Sequence, residues 1–351
     1  MQTRICRLHA QGDIRIETAA IAAPGPGEVM VAVGAGGICG SDLHYYQHGG
    51  FGNIRVQEPI ILGHEAAGTV VQIGPGADLA VGDKVALSPS LPCNTCIFCE
   101  KEMYNQCLDM QFFGSAMRMP HVQGAFRDKI TLAATQCVKA NPATPLTELA
   151  CAEPLAVCLH AMGQSGSTDF TGKRVLVTGA GPIGALCAAL AANAGAAEVV
   201  ITDLFEAPLK IAAQMGATTC LDLCDNPYAL APWEQDKGRF DIGFECSGAA
   251  PAIAAALQAL RPGATLVQVG ISGATTLPLN ILVAKEIALR GTHRFHAEFA
   301  PAVRLIETRQ IDVRPILTGS FPLAEAKAAF EAAGDRRSAS KVQLTFDANI
   351  G

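Results

Sequence analysis

No apolar run long enough to cross a membrane occurs in this chain of 351 residues, although half of its residues are hydrophobic. A membrane-spanning helix needs about 20 consecutive apolar residues, so a membrane protein is disfavoured. The opening residues, MQTRICRLHAQGD, also lack the apolar core that signal peptides carry. We therefore expect a soluble protein of the cytoplasm.

Charged residues are scarce, at 17% of the chain, and they leave a net charge of −6 with a pI near 5.8. No block of lysine and arginine stands out in the sequence. Nucleic acids and membrane surfaces bind basic patches, so neither is expected as a partner. The high apolar fraction excludes disorder, and the length is sufficient for two domains with separate cores.

Cysteine is the residue that the chain has in excess. There are thirteen cysteines, an odd number, and no export signal precedes them. Disulfide frameworks belong to exported proteins and use cysteines in pairs. The composition therefore favours metal ligation, with the remaining thiols reduced.

The sequence pattern changes twice along the chain. From residue 1 to about 150, short β-rich runs separated by glycine and proline are typical of an antiparallel, barrel-like domain. From 151 to about 285, strands alternate with helices, which predicts an α/β fold with a doubly wound parallel Rossmann sheet. Residues 286–351 are mixed, and we expect this return segment to pack onto the first domain. One amphipathic helix is predicted across residues 148–163.

A cluster of zinc-type ligands lies early in the first domain. Cys39 is followed by His64 and Glu65, and glycines on both sides allow the backbone to turn sharply. Cysteine, histidine and carboxylate are the ligands that zinc prefers. A single buried cysteine is usually only a small apolar residue, but the cluster as a whole favours a metal site.

Four more cysteines follow within fifteen residues, at spacings of two, two and seven intervening residues: Cys93, Cys96, Cys99 and Cys107. Four thiolates on a short loop can complete a tetrahedral shell around zinc, which leaves no position for substrate. An iron–sulfur cluster is the rival, but the Cys-Pro ending of the usual bacterial cluster motif is absent. The quartet therefore predicts a structural zinc.

A dinucleotide motif begins the second domain. Gly179, Gly181 and Gly184, with Pro182 and Ile183 between them, form G-x-G-x-x-G directly after a buried strand and at the start of a helix. The first glycine allows a tight turn, the second admits the pyrophosphate and the third lets the helix pack on the strand. This context predicts a nicotinamide dinucleotide site.

Asp203 lies 19 residues beyond the last of these glycines, at the end of the next strand. A carboxylate there accepts the ribose hydroxyls and repels a 2′-phosphate, and no arginine or lysine occurs in the following LFEAPL. We therefore expect NAD rather than NADP, with a helix cap as the alternative role of Asp203. Ser247, Val269 and Gly270 close two further strands where the nicotinamide half would lie, although Ser247 alone could be a turn residue.

The motifs CGSDLHYY, LGHEAAGTV, CNTCIFCEKEMYNQC, AEPLAVCLHA and GAGPIG together resemble the zinc-dependent medium-chain alcohol and polyol dehydrogenases over essentially the full chain. CGSDLHYY and EPLAVCLHA are similar to the sorbitol dehydrogenase branch. NQCLDMQFFGSAMRMPHVQGAF and LRGTHRF resemble members that interconvert the sugar acid L-idonate and 5-keto-D-gluconate with NAD. The resemblance implies a GroES-like catalytic domain, two zinc ions per chain, and a homotetramer or homodimer.

The resemblance also implies roles at the catalytic zinc. Cys39 and His64 would bind the metal directly, while Glu65 and Glu153 match two carboxylates of the branch. One carboxylate would complete the shell and the other would act through water, and the sequence leaves the choice open. Alternatively, Glu153 precedes a proline and could simply cap a helix.

The resemblance places a proton relay beside the metal. Ser41 and His44 match its hydroxyl and imidazole, and Tyr45 matches a residue that contacts substrate or water. Asp42 would orient these neighbours. The alternative for His44 is an ordinary loop histidine.

A sugar acid carries a carboxylate, so its site should offer a fixed cation, best an arginine. Arg294 is the first candidate, Arg118 and His121 are the second, and Phe113 is a candidate for lining the pocket. A sorbitol- or xylitol-type polyol dehydrogenase is the alternative function. A zinc-free quinone reductase lacks these ligands, and a non-catalytic nucleotide-binding homologue would not need them.

Overall fold

The computed structural model describes residues 1–271 and 273–346, and these form two layered units. The strands are β1 Gln2–Ala10, β2 Asp13–Ala20, β3 Glu28–Gly37, β4 Gly50–Phe51, β5 Ile54–Arg55, β6 Ile60–Ile61, β7 Glu65–Ile73, β8 Lys84–Leu87, β9 Ser90–Leu91, β10 Gln111–Phe112, β11 Lys129–Ala133, β12 Cys137–Lys139, β13 Arg174–Thr178, β14 Glu198–Asp203, β15 Thr219–Asp222, β16 Phe240–Glu245, β17 Leu260–Gln268, β18 Ala288–Gly291, β19 Leu317–Pro322 and β20 Lys341–Thr345. The helices are α1 Gly40–His48, α2 Leu146–Leu149, α3 Ala152–Gln164, α4 Pro182–Asn193, α5 Glu206–Gln214, α6 Ala231–Glu234, α7 Ala250–Ala259, α8 Leu279–Ala284, α9 Phe299–Glu307 and α10 Ala326–Gly334.

The first unit is built around strand β3. Its sheet has the order β12-β8-β7-β3-β20-β19, and β11 also pairs with β3. Val29, Val31 and Val33 alternate along β3 and pack on one side of it into one core, and the residues between them are buried on the other side. The β-rich, GroES-like unit predicted from the sequence is confirmed.

The second unit is a parallel sheet of six strands in the order β15-β14-β13-β16-β17-β18. Strand order reverses between β13 and β16, and in such sheets ligands bind in the crevice at the carboxyl ends of these strands. The sheet continues beyond residue 285, because β18 pairs with β17. The doubly wound fold predicted from strand and helix alternation is confirmed.

The return segment connects the two units. Strand β20 pairs antiparallel with β3, and β19 pairs with β20, so both belong to the first sheet. Helix α9 packs against α3 in the second unit. Lys341, at the start of β20, therefore lies beside the end of β3.

The single helix predicted over residues 148–163 is wrong, because α2 ends at Leu149 and α3 begins at Ala152. Pro154 explains the break. Proline has no N–H and is tolerated in the first turn of a helix, but inside a continuous helix it would clash with the preceding turn. The restart places Glu153 in the first turn of α3, where it is buried.

Within the described residues, the helices are all too short or too polar to cross a membrane.

Candidate active site and metal centres

Three potential metal ligands come together at the end of strand β3. Donor atoms of Cys39, His64 and Glu65 all lie within 4.8 Å of one another. Cys39 immediately precedes α1, and His64 and Glu65 lead into β7. Because β3 and β7 are paired with Gly37 opposite Glu65, the pairing of these strands brings the ligands together.

The pocket has a specific place for the Glu65 carboxylate. A Cβ atom at Gly37 would lie 2.0 Å from Glu65 Oε2, so only glycine leaves room. Glu65 Oε1 accepts from Lys341 Nζ at 2.7 Å, whereas the buried Oε2 has no hydrogen-bond partner among the described residues. An unpaired buried carboxylate oxygen beside a thiol and an imidazole fits a bound cation.

The thiol in this pocket also favours a cation. Burial raises the pKa of Cys39 to about 11, with the charge of Glu65 adding to the effect. The thiolate is the form that binds metal, and a buried thiolate is stable only beside positive charge. The donor set and its burial therefore fit zinc.

Asp42 holds the two loops that carry these ligands. Its fully buried carboxylate accepts the backbone N–H of Cys39 at 3.0 Å and that of Gly63 at 3.2 Å. Its Oδ1 also lies 3.7 Å from Nδ1 of His64. Supporting carboxylates of this kind orient metal ligands.

Glu153 approaches the cluster from the other unit. Burial raises its pKa to about 8, while the nearby charges of His64 and Glu65 act in opposite directions. Glu153 lies outside the group of three mutually close donors. Glu65 therefore lies within the group of close donors and Glu153 does not, a difference that the sequence left open.

Helix α1 carries Ser41 and His44 of the predicted proton relay and Tyr45, the predicted contact to substrate or water. Tyr45 is buried, and its hydroxyl accepts the Ala116 N–H at 3.3 Å. Ser41 is half-buried and His44 is exposed, one helical turn apart on the same side of the helix. The His44 ring lies 5.8 Å from the ring of Phe51. A relay from Ser41 to His44 stays a prediction.

The cysteine quartet forms the second candidate metal centre. Its four sulfurs lie within 4.8 Å of one another, and Cys99 Sγ is 3.6 Å from Cys96 Sγ. The N–H of Cys93 donates to Cys107 Sγ at 3.2 Å, and the N–H of Leu108 donates to Cys96 Sγ at 3.5 Å. Such bonds stabilise thiolates, and the four donors fit a closed tetrahedral zinc site.

The glycine turn between β13 and α4 has the geometry of a phosphate-binding loop. Gly179 has φ +89°, a conformation that favours glycine, and Gly181 precedes α4 with Pro182 at its first position. A Cβ at Gly184 would lie 1.8 Å from the carbonyl of Gly179. Ile183 is half-buried and its carbonyl accepts a bond from a buried thiol. The helix N-terminus is therefore open for a pyrophosphate.

Asp203 ends β14 beside this turn. Its carboxylate accepts the N–H groups of Ala180 at 2.6 Å, Leu204 at 2.7 Å and Phe205 at 3.1 Å. Helix α5 begins only at Glu206, after Phe205. Asp203 is therefore not the cap of α5, and its role toward the ribose stays a prediction.

The other predicted coenzyme residues lie at the same edge. The N–H groups of Val269 and Gly270 both donate to the carbonyl of Glu245, at 2.8 and 2.7 Å. A Cβ at Gly270 would lie 2.3 Å from the nitrogen of Gly248, and one at Gly179 would lie 3.0 Å from Ser247. Three turns therefore meet at this edge.

Glu245 connects these turns, and the sequence interpretation missed it. Its fully buried carboxylate accepts the N–H groups of Ser247 and Gly248, each at 2.9 Å, and the Thr178 hydroxyl at 3.3 Å. It also contacts the Ser247 hydroxyl and the Gln268 amide. A charged residue at the buried end of the strand FDIGFE was the available signal.

Replacing Glu245 with glutamine is expected to weaken NAD binding about tenfold, because the new amide would face backbone N–H donors and lose at least one charge-assisted hydrogen bond. We expect kcat at saturating NAD to change less than about threefold. Fluorescence titration with NAD measures the first effect, and the exposed Glu331→Gln variant is the matched control. Unchanged NAD affinity in Glu245→Gln would contradict this role.

Arg294, the first candidate for binding the substrate carboxylate, is separated from His64 by the ring of Phe112. Its guanidinium stands 3.9 Å above the ring centroid of Phe112, which is 5.5 Å from the His64 ring. Arg294 Nη2 also contacts the sulfur of Met117 at 3.0 Å. Burial lowers the pKa of Arg294 to about 10, so it remains charged at neutral pH.

A cavity of about 240 Å³ opens beside this arginine. Both Arg118 and Arg294 line it, together with Ser115 and Met117. Arg118 pairs with Asp109 at 2.6 Å. Asp109 also lines the cavity and offsets the charge of Arg118, so the net positive charge that would suit an anionic group comes from Arg294.

Two of the predicted substrate residues have other contacts. His121 accepts the Gln57 N–H at Nε2 and bonds to the Arg118 carbonyl through Nδ1, so both ring nitrogens are engaged by backbone. Phe113 packs against the core of the first unit, and the neighbouring Phe112 contacts the site instead. We therefore assign His121 to holding its turn.

Two family models match the chain. The model described as alcohol dehydrogenase GroES-like domain matches residues 25–142, and the one described as zinc-binding dehydrogenase matches residues 182–308. With the relatives described next, they show that the chain belongs to the zinc-dependent medium-chain dehydrogenases. It is an oxidoreductase that uses zinc, a nicotinamide dinucleotide and a small-molecule substrate, as the sequence predicted.

Within this family, the chain is 41% identical to the L-idonate 5-dehydrogenase (NAD(P)(+)) of Escherichia coli strain K12 over 320 residues, which are 90% of this chain and 91% of the relative. The crystal structure of L-idonate 5-dehydrogenase from Escherichia coli matches with a TM-score of 0.94 and 38% identity, covering 99% of both chains. Human sorbitol dehydrogenase is 36% identical over 331 residues, which are 92% of this chain and 90% of the relative.

Proposed function

We propose that this protein oxidises a secondary alcohol of a sugar acid with NAD, interconverting L-idonate and 5-keto-D-gluconate. The observation that carries the proposal is Arg294, a half-buried cation separated from the proposed metal ligand His64 by the ring of Phe112. A carboxylate at one end of the substrate would neutralise this charge. The 41% identity to an L-idonate 5-dehydrogenase supports the same substrate.

The proposed metal ligands are Cys39, His64 and Glu65, with Glu153 acting through water. Zinc and the nicotinamide dinucleotide supply Lewis acidity and hydride acceptance when they are bound. Lys341 bonds to one oxygen of Glu65 and thereby leaves the other oxygen to face the site. Asp42 fixes the backbone of the loops that carry Cys39 and His64.

The proton of the substrate hydroxyl needs a route out of the closed site. We assign the first step to the Ser41 hydroxyl and the second to His44, which is exposed and can pass the proton to solvent. Partial desolvation of the ring lowers the pKa of His44, although the side chain reaches solvent, and the charges of His48 and Arg336 add to this effect. The neutral imidazole, which accepts a proton, is therefore favoured. Tyr45 lies on the same helix and offers its buried hydroxyl to the substrate.

Wild-type protein is expected to turn over L-idonate with NAD at a kcat/KM at least about tenfold above those for sorbitol, xylitol and L-threonine, because the two polyols have no carboxylate to pair with Arg294 and the carboxylate of L-threonine adjoins an ammonium group that the arginine would repel. Steady-state kinetics on the four substrates tests this. A tenfold advantage for sorbitol or xylitol would favour the polyol alternative, which the 36% identity to sorbitol dehydrogenases supports.

Replacing Arg294 with alanine is expected to lower kcat/KM for L-idonate by about 10²-fold, the cost of about two charge-assisted hydrogen bonds, with little effect on sorbitol. Arg294→Lys should recover part of the loss, because it restores the charge without the planar geometry. The exposed Arg304 gives the control variant Arg304→Ala. An equal loss on idonate and sorbitol would show that Arg294 acts on the fold rather than on the carboxylate.

We propose a homo-oligomer, a tetramer or dimer, that pairs through strand β18. Strand β18 is the edge strand of the parallel sheet, outside β17. All four residues of β18 are exposed, and Leu279 and Val283 of helix α8, which precedes β18 in the chain, are 60% and 71% exposed. The cytoplasm remains the proposed location, since thirteen free thiols suit a reducing compartment.

A further inference from the structure

Three thiols meet beneath the coenzyme turns, and none of them belongs to a metal centre or to the predicted coenzyme residues. Cys158 lies in α3, Cys187 lies in α4 and Cys246 directly follows β16. The Cys246 thiol donates a hydrogen bond to the Cys187 sulfur, with 4.0 Å between the two Sγ atoms. The Cys158 thiol donates to the carbonyl of Ile183 in the first turn of α4, at 3.4 Å. The thiols therefore lie against the helix whose N-terminus would hold the pyrophosphate.

Solvent reaches this cluster through one of its members. Cys246 is half-buried, whereas Cys158 and Cys187 are buried. Cys246 stands at the carboxyl end of β16, next to the point where the strand order reverses and where sheets of this kind bind their ligands. A small oxidant therefore reaches the cluster from the coenzyme crevice, and a bound coenzyme would cover that route.

The chemical character of the two neighbouring thiols is different. Hydrogen bonds from Cys158 and Cys246 lower the pKa of Cys187, and the bond to Cys187, together with burial, raises the pKa of Cys246. The thiolate is the form of cysteine that attacks a peroxide. Cys187 is therefore the nucleophile of the pair, and Cys246 is the thiol that faces the crevice.

We propose that Cys187 and Cys246 are a peroxide-sensitive thiol pair, which forms a disulfide when the coenzyme site is empty. The Cys187 thiolate attacks one oxygen of hydrogen peroxide, the O–O bond breaks, and the other oxygen leaves as hydroxide, which takes the proton of Cys246. The Cys246 thiolate then attacks the sulfenic acid on Cys187, so that an S–S bond forms and the S–O bond breaks. In total the two thiols lose two electrons and two protons, and the peroxide is reduced to two waters.

The disulfide would disturb the coenzyme turns. An S–S bond of about 2.05 Å requires the two sulfurs to approach each other by roughly 2 Å. The N–H of Cys246 donates to the carbonyl of Thr178 at 2.8 Å, and the next residue, Ser247, lies 3.0 Å from the position of a Cβ at Gly179. Movement of Cys246 toward α4 would therefore shift Ser247 against the glycine turn. We expect the oxidised protein to bind NAD more weakly.

Peptide mapping by mass spectrometry tests the pair directly. The zinc-loaded full chain is exposed to hydrogen peroxide with and without NAD, free thiols are then blocked, and the unreduced protein is digested. We expect a disulfide between Cys187 and Cys246 in the protein exposed without NAD, and at least about fivefold less of it with saturating NAD. Zinc content is measured on the same samples, because oxidation of metal-binding thiols would release zinc.

Fluorescence titration with NAD measures the consequence. Peroxide treatment should weaken NAD binding by wild-type protein about tenfold, with unchanged zinc content and with recovery after dithiothreitol. Cys187→Ala, which suits the alanine-rich helix α4, should bind NAD like untreated wild type and lose less than about twofold on treatment. Cys220→Ser is the matched control, because Cys220 is a half-buried thiol of the same unit, bonded to the carbonyl of Leu209. It should respond to peroxide as wild type does.

Absence of the disulfide from treated wild-type protein would overturn the proposal, and so would a disulfide of Cys187 with Cys158 in its place. Equal losses of NAD affinity in wild type and Cys187→Ala, or equal disulfide yields with and without NAD, would also contradict it. Cys246→Ser is a second variant and should form no peroxide-dependent disulfide at Cys187. The inference rests on the proposed function only in taking NAD as the coenzyme, and failure of that assignment would appear as absent NAD binding before any peroxide is added.

Discussion

Replacing Cys39 with serine is expected to reduce kcat/KM by about 10³-fold or more. A serine hydroxyl is a poor zinc ligand, and loss of the Lewis acid removes several kcal/mol of stabilisation from the reaction, with each 1.36 kcal/mol worth about tenfold. The fold should persist, because Cys39 lies in a pocket whose strands are held by β3–β7 pairing and by the carboxylate of Asp42. This variant therefore tests the role of Cys39 in the reaction while the fold is retained.

Metal analysis shows whether the loss of activity in Cys39→Ser is caused by loss of the catalytic zinc. The zinc content should fall from about two ions per chain to about one, and the thermal midpoint should stay within about 3 °C of the wild-type value. Cys224→Ser is the matched control, because Cys224 is exposed and far from either cluster in sequence. A fully active Cys39→Ser variant, or one that keeps both zinc ions, would refute the assignment of the catalytic metal.

Local sequence patterns predicted the parts of the site that lie on neighbouring elements. Cys39 and His64 flank strands that pair directly, so their approach follows from one β–β contact. The glycine turn needed only the strand before it and the helix after it. The residues that form the glycine turn, and the ligands Cys39 and His64, are close together in the sequence. A local pattern could therefore predict both features.

Contacts made across the whole chain were not predictable in this way. Lys341 bonds to Glu65 from 276 residues away, and nothing near either residue signals the other. Arg337 reaches Phe205 by the same return of the chain to the first sheet. Phe112 ends the two-residue strand β10, where it pairs with Ser90 of β9, whereas Phe113 follows the strand, so their different surroundings depend on pairing with β9. Tertiary structure decides these contacts.

Replacing Cys99 of the quartet with serine is expected to cause the second large effect, a loss of stability. Structural zinc contributes about 10 to 16 kcal/mol of apparent binding free energy in small peptides, comparable to the whole stability of a typical domain. Loss of this zinc should lower the thermal midpoint by about 10 °C, measured by calorimetry together with a zinc content of about one per chain. Cys224→Ser again provides the control, and an unchanged midpoint with one zinc lost would contradict the structural role.

The quartet should also influence substrate binding, because its loop holds the segment that carries Arg294. The ring of Tyr104 lies 4.3 Å from the ring of His296, and the Asn105 amide donates to the His293 carbonyl at 2.9 Å. These contacts involve residues on both sides of Arg294 in the chain. The Arg294 φ of +52° is unfavourable for a residue with a side chain, so the backbone there needs such support. In Cys99→Ser, KM for L-idonate should therefore rise several-fold more than KM for NAD. An equal rise in both would mean that the loop stabilises the fold without positioning the arginine.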